Sequence, residues 1–256
     1  MPSIMSLKLK TAARLLAVAV FWFLVWELAA RTVNQVLLIP SPGLVAKTLG
    51  ELIVTSRFWM AVGMTLLRSL LGFFAGVVVG CLMALLTFHV PLAAHLFRPL
   101  QKGIRAIPVA SFIILALIWL PTNLLPAFIA FVMVLPLIWR GVELVLREVE
   151  GQLLDMATVY KLGFQKTLRH IRLPAVAPYF RTACVNALGL AWKSGIAAEV
   201  ICRPKDSVGR MLQDAKTYLE TPEVFAWTAV VIALSLVLEK VLTTAMRKRH
   251  EGGVTP

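Results

Sequence analysis

Six apolar blocks, roughly 12–30, 61–87, 104–120, 124–145, 174–200 and 224–245, alternate with shorter polar stretches. About 20 apolar residues cross a hydrocarbon core of roughly 30 Å as a helix. Several blocks are apolar on every side, unlike the one-sided stripe of a surface helix. An isolated strand could not satisfy its backbone in lipid. The pattern predicts an all-α membrane protein with six transmembrane helices in one domain over 1–256. Two polar stretches are themselves patterned. Residues 40–57, "PSPGLVAKTLGELIVTSR", and 203–222, with Val208, Met211, Leu212 and Leu219 among charges, each predict a short amphipathic helix at the membrane interface.

Composition agrees: 59% of the 256 residues are apolar, against roughly 45–50% in soluble domains. The net charge of +13 would suggest nucleic acid in a soluble protein. Here the cations lie mostly between the apolar blocks, where they act as a topology signal, and no nucleic acid is expected. Lys8, Lys10 and Arg14, then Arg98, Lys102 and Arg105, then Arg147, Lys161, Lys166, Arg169 and Arg172, and finally Arg247, Lys248 and Arg249 all fall on one side. Both termini are therefore expected in the cytoplasm. The N-terminal block imitates a signal peptide, but its length and Glu27 favour an uncleaved first span. Cys81, Cys184 and Cys202 are far apart, and the four histidines are isolated. No disulfide framework, metal site or cofactor is expected on this chain.

Within the blocks a few positions stand out. Gly72, Gly76 and Gly80, with Ala84, share one helix face and admit a close neighbour, either in the same chain or in a second copy. Pro108 and Pro136 interrupt the third and fourth blocks; they mark either a pathway or simple kinks. Arg68, Lys193 and Glu199 lie at or near membrane depth, where a lone charge costs about 2.5–3.5 kcal/mol on insertion scales, and with Trp192 and Ser194 they are the pathway candidates. Lys193, with Trp192 and Ser194 beside it, is the candidate cationic contact in a pathway; a structural ion pair is the alternative. Glu199 is a candidate for a gate or a partner contact. Lys193 and Glu199 are too far around the helix to pair directly.

The segment 151–174 is basic and amphipathic. Leu153, Met156, Ala157, Tyr160 and Phe164 recur at helical spacing. Gly163 can end that helix in a left-handed conformation, and Pro174 suits the first turn of the next. Such a segment either rests on anionic headgroups or docks its apolar face into a soluble partner. It resembles the "EAA" loop of permease subunits of ATP-binding-cassette importers. Asp155, Met156 and Ala157 stand at the E-A-A positions, and Ile171, Leu173 and Pro174 match the closing I-x-L-P. The family glycine falls on Lys161, whereas the glycine here is Gly163. "LIPSP" at 38–42, "LLRSLLGFFAGVVVG" at 66–80, "FRPLQKGIRAIPVASFIILALIWL" at 97–120 and "AAEVI" at 197–201 are similar to the nitrate/sulfonate/taurine branch.

The resemblance implies the type I importer permease fold, with 151–174 as cytoplasmic coupling helices. It implies a second permease copy, two ATPase subunits, an extracytoplasmic solute-binding protein and a bacterial cell membrane. The solute would be a sulfonate, nitrate, taurine or similar anion; similar permeases carry thiamine-precursor pyrimidines or other vitamin precursors. No phosphate-loop pattern G-x-x-x-x-G-K-[ST] occurs, so ATP hydrolysis is expected on separate subunits. An ion-driven carrier would show inverted repeats and midplane acids. An embedded enzyme would show a catalytic cluster, and a scaffold would not need buried charge.

Overall fold

The computed structural model describes residues 4–148, 159, 160, 163, 167 and 173–251. These form α1 (Ile4–Val33), α2 (Pro42–Ile53), α3 (Ser56–His89), α4 (Pro91–Ala106), α5 (Val109–Ala116), α6 (Leu125–Glu148), α7 (Leu173–Cys202), α8 (Val208–Thr217) and α9 (Thr221–Glu251), with no strand among the described residues. Two compact units are distinguished: Met1–Trp59 with Met211–Val230, and Met60–Arg210 with Val231–Pro256.

Turn chemistry sets the boundaries in the first unit. Asn34, at φ 47°, closes α1 in the left-handed region, its N–H donating to Ala30 O at 3.0 Å; asparagine tolerates this conformation better than most residues. Ser41 caps α2, its Oγ accepting from Leu44 N, and Pro42 occupies the first helical turn. Trp26 donates to Pro40 O at 3.0 Å and stacks on Phe225, while Phe58 stacks on Trp227. The amphipathic helices expected within 40–57 and 203–222 are α2 and α8.

The second unit holds the core. Phe73 and Ala84 of α3, Ala130, Val134, Ile138 and Trp139 of α6, and Ala187 and Ala191 of α7 pack into one buried cluster. The glycine stripe of α3 makes this possible, and its partner is α6 of the same chain. A Cβ on Gly72 would collide with the Ala127 carbonyl oxygen, one on Gly76 would lie 2.7 Å from Val134 Cβ, and one on Gly80 3.0 Å from Ile138 Cβ. Trp139 brings a polar atom into this core and donates it to Thr87 Oγ1 at 2.9 Å, as a buried indole N–H requires.

Among the described residues, four helical stretches are long and apolar enough to cross a membrane: Leu16–Val33, Ser56–His89, Leu125–Arg147 and Thr221–Met246. The other two predicted blocks are built differently. The block 104–120 is no single helix. Pro108 forces Ile107 into an extended conformation, with ψ 128°, so α4 ends and α5 leaves at 103°. α5 has eight residues, far too few to span lipid alone. The block 174–200 is one helix of 30 residues, about 45 Å long at 1.5 Å per residue. It carries Arg181, Lys193 and Glu199.

Most of the coupling segment lies outside the described residues, including Asp155, Met156, Ala157, Lys161 and Ile171. Gly163 is described. It is exposed, its carbonyl accepts from Thr167 N at 3.1 Å, and its φ is not positive. Leu173 and Pro174 open α7.

The Cβ geometry sets an expectation for thermal melting of the purified chain. Gly72→Ala should destabilise by about 1–3 kcal/mol through overpacking against α6 backbone. Gly63→Ala, where nothing lies within 4 Å, should be neutral or stabilising by a few tenths of a kcal/mol. Equal melting temperatures for both would contradict the tight α3–α6 approach.

Candidate functional site

Arg68 and Glu199, far apart in sequence, meet at 3.4 Å with side chains 7% and 1% exposed. Every partner of the Glu199 carboxyl is a donor. Thr65 Oγ1 donates to Oε2 at 2.8 Å, Gly209 N to Oε2 at 3.2 Å, and Arg68 Nη1 to Oε1. All-donor surroundings suit the carboxylate. The Gly209 amide belongs to the first turn of α8, whose leading N–H groups have no intrahelical partner. Each finds one here: Val208 N donates to Thr65 Oγ1, Gly209 N to Glu199, and Arg210 N to Ser207 Oγ. The negative carboxylate at the positive helix end adds a favourable dipole interaction. Arg68 spends its other donors on the Lys205 and Asp206 carbonyls at 2.9 and 3.2 Å. That loop turns through Arg203 and Asp206, at φ 51° and 52°. Gly209 is required by the close approach, since a Cβ there would collide with Glu199 Cβ.

Further along α7, Trp192, Ser194 and Lys193 point apart. Trp192 is 1% exposed and donates to Val231 O at 3.2 Å. Ser194 is buried and donates back to Leu190 O at 2.8 Å. Only Lys193 is exposed, and among the described residues it forms no salt bridge. Of the five pathway candidates, the fold thus brings Arg68 and Glu199 together in a buried knot, turns Trp192 and Ser194 into the protein, and leaves Lys193 on an open face.

That face is more than one lysine. Tyr179, Thr182, Asn186 and Lys193 are all exposed, and steps of three, four and seven residues place them on one side of a helix. At the Tyr179 end, a groove of about 320 Å³ runs between α4, α6 and α7, lined among others by Arg105, Pro136, Arg140, Tyr179, Thr182 and Asn186. The charged groups of the groove and the α7 stripe are all cationic. Arg105, Arg140, Tyr179, Thr182 and Asn186 were missed as site residues. The stripe on α7 was readable from spacing alone, whereas the arrival of Arg105 and Arg140 beside it was not.

Residues 76–254 match the family described as binding-protein-dependent transport system inner membrane component. The chain belongs to that family. The taurine transport system permease protein TauC of Escherichia coli (strain K12) is 25% identical to this permease over 235 residues, covering 87% of this chain and 83% of TauC. The riboflavin transport system permease protein RibX of Chloroflexus aurantiacus is 23% identical over 203 residues, covering 78% and 75%. A solved structure of an amino acid ABC transporter with histidines superposes with a TM-score of 0.61 at 15% identity, over 79% of this permease and 97% of that chain. The fold is that of a type I importer permease. Its role is transport through a membrane, as a permease subunit of an ABC importer.

The knot is testable by a double-mutant cycle read as unfolding free energy in detergent. Glu199→Ala alone should cost about 3–5 kcal/mol, because it leaves Arg68 buried and unpaired. Adding Arg68→Met should recover part of that loss. Strictly additive losses would show that the two side chains do not act as a pair.

Proposed function

We propose that this permease forms half of a translocation pathway for a small anion, with the exposed polar face of α7 as its lining. The supporting observation is the run Tyr179–Thr182–Asn186–Lys193 with Arg105 and Arg140 at one end. Turned to lipid, such a face would leave a lysine and an amide in hydrocarbon, at a cost of a few kcal/mol. A second copy, related by two-fold symmetry, would cover it and enclose a channel whose walls are positive. An anion is favoured there over a neutral vitamin precursor, since cations without acids stabilise negative charge in a low-dielectric site. The taurine of a TauC-like system, which bears an anionic sulfonate group, fits this lining better than the riboflavin of a RibX-like one.

In the same reading, a binding protein delivers the solute from outside and two ATPase subunits drive the cycle from the cytoplasm, where both termini lie. The segment 151–174, with Asp155, Met156, Ala157, Lys161, Gly163, Ile171, Leu173 and Pro174, passes their motion to α7, which begins at its end. The carrier alternates between inward- and outward-facing states biased by ATP. ATP hydrolysis is confined to the partner subunits.

Two measurements test this. Lys193→Met should reduce uptake roughly tenfold or more, the loss of a hydrogen bond to a charged group, with subunit assembly and basal ATPase activity unchanged; normal uptake would remove Lys193 from the pathway. Replacing residues 153–172 by a flexible linker should abolish ATP-driven uptake and release the ATPase subunits on co-purification. Retention of both would refute the coupling role.

A further inference from the structure

A second cleft, of about 290 Å³, lies between α4 and α6 and is lined by Arg98, Gln101, Lys102, Arg140, Glu143 and Arg147, with Leu144. The α4 residues sit at steps of three and four, as do those of α6, so each helix turns one face into it. Four cationic side chains and one carboxylate line it. Glu143, 9% exposed, accepts through the same oxygen from Arg98 Nη2 at 3.2 Å and Arg147 Nε at 3.0 Å. Arg147 is held further by the Thr87 carbonyl at 3.1 Å and lies over the Phe88 ring. Glu143 thus fixes two guanidinium groups in place without neutralising the cleft. Lys102 and Arg140 form no salt bridge among the described residues.

A topology signal explains cations between spans, but it does not require them to converge, nor does it explain Gln101. That side chain is 5% exposed, and its amide nitrogen has no hydrogen-bond partner. A buried donor left unpaired is costly and uncommon in a native fold. A planar carboxylate would be satisfied by one guanidinium fork. Donors arriving from two helices, in forks, an ammonium and an amide, suit a tetrahedral oxyanion. We infer that this cleft binds a phosphate group, supplied by the headgroup of an anionic phospholipid. Basic pockets between membrane helices on the cytoplasmic side are suited to such headgroups, and the exposed Leu144, which lines the cleft, offers apolar surface for an acyl chain. Free phosphate presents the same chemistry and is the alternative source. This inference goes beyond the transport reading and does not depend on the solute.

The test is thermal melting of the purified full-length chain in detergent, titrated with phosphatidylglycerol, with phosphatidylcholine, or with inorganic phosphate against chloride at matched ionic strength. Phosphatidylglycerol should raise the melting temperature saturably where phosphatidylcholine does not. Lys102→Gln should require roughly tenfold more lipid for half the shift, as expected for one lost charge-assisted contact. Gln101→Leu should weaken the response in the same direction while melting at or above wild type in phosphatidylcholine. It removes the unpaired amide at similar volume, and it carries the test if the lysine variant fails to fold. If inorganic phosphate alone reproduces the full shift, the site stands and its source is soluble. No anion-dependent stabilisation, or an equal response from wild type and Gln101→Leu, overturns the inference.

Discussion

The Glu199 carboxylate is the point on which one end of this bundle depends. One buried acid takes hydrogen bonds from α3, through Thr65 and Arg68, and from the first turn of α8, through Gly209. Remove its charge and three things lose support together: the guanidinium, the orphan amides of α8, and the loop 203–207 whose carbonyls Arg68 gathers. A buried ion pair is weak evidence for stability, since apolar residues of the same shape often do as well. Its value here is geometric. An apolar contact could slide, whereas an acid that must meet an arginine, a hydroxyl and a backbone amide admits one arrangement of Thr65 and Arg68, of α7, and of the turn through Gly209.

The opposite requirement governs the middle of the second unit. There α3 and α6 approach through glycines, and close packing does the work that hydrogen bonds do at the knot. The small residues leave α6 two-thirds buried over its apolar stretch, against 17% for the apolar stretch of α9. With no hydrophobic drive between helices in lipid, contact between small side chains is what holds such a core. α7 then serves two surroundings at once. Its inward face carries Ala187, Ala191 and Trp192 into the core, and its outward face carries Tyr179, Thr182, Asn186 and Lys193 away from it. That double use is why α7 carries polar and charged residues along the length of its apolar block.

Arg140 lies between two basic openings, the groove along α7 and the cleft against α4. The two differ in what fixes their charges. In the cleft, Glu143 clamps Arg98 and Arg147, and Lys102 and Arg140 line it with them. In the groove no acid intervenes, and the cations border hydroxyl and amide groups. Fixed donors suit a ligand that stays, whereas an open row of weaker contacts suits one that must move on.

By itself the sequence determined the class, the positions of the long helices, and the caps: block length measures out a bilayer, and Ser41-Pro42 and Pro174 act on their own neighbours. It also carried the glycine stripe and the α7 polar stripe, because helical period is a local property. It did not reveal that Pro108 turns the chain by 103° and leaves no single span over 104–120, since whether a proline kinks or breaks depends on what the next helix packs against. Nor did it show that Trp192 and Ser194 face inward while Lys193 faces out, or that Thr65, Arg68, Gly209 and Glu199 converge. Those are contacts between residues up to 134 positions apart, and only the tertiary structure decides them. A buried charge must find its partner wherever the packed helices bring one.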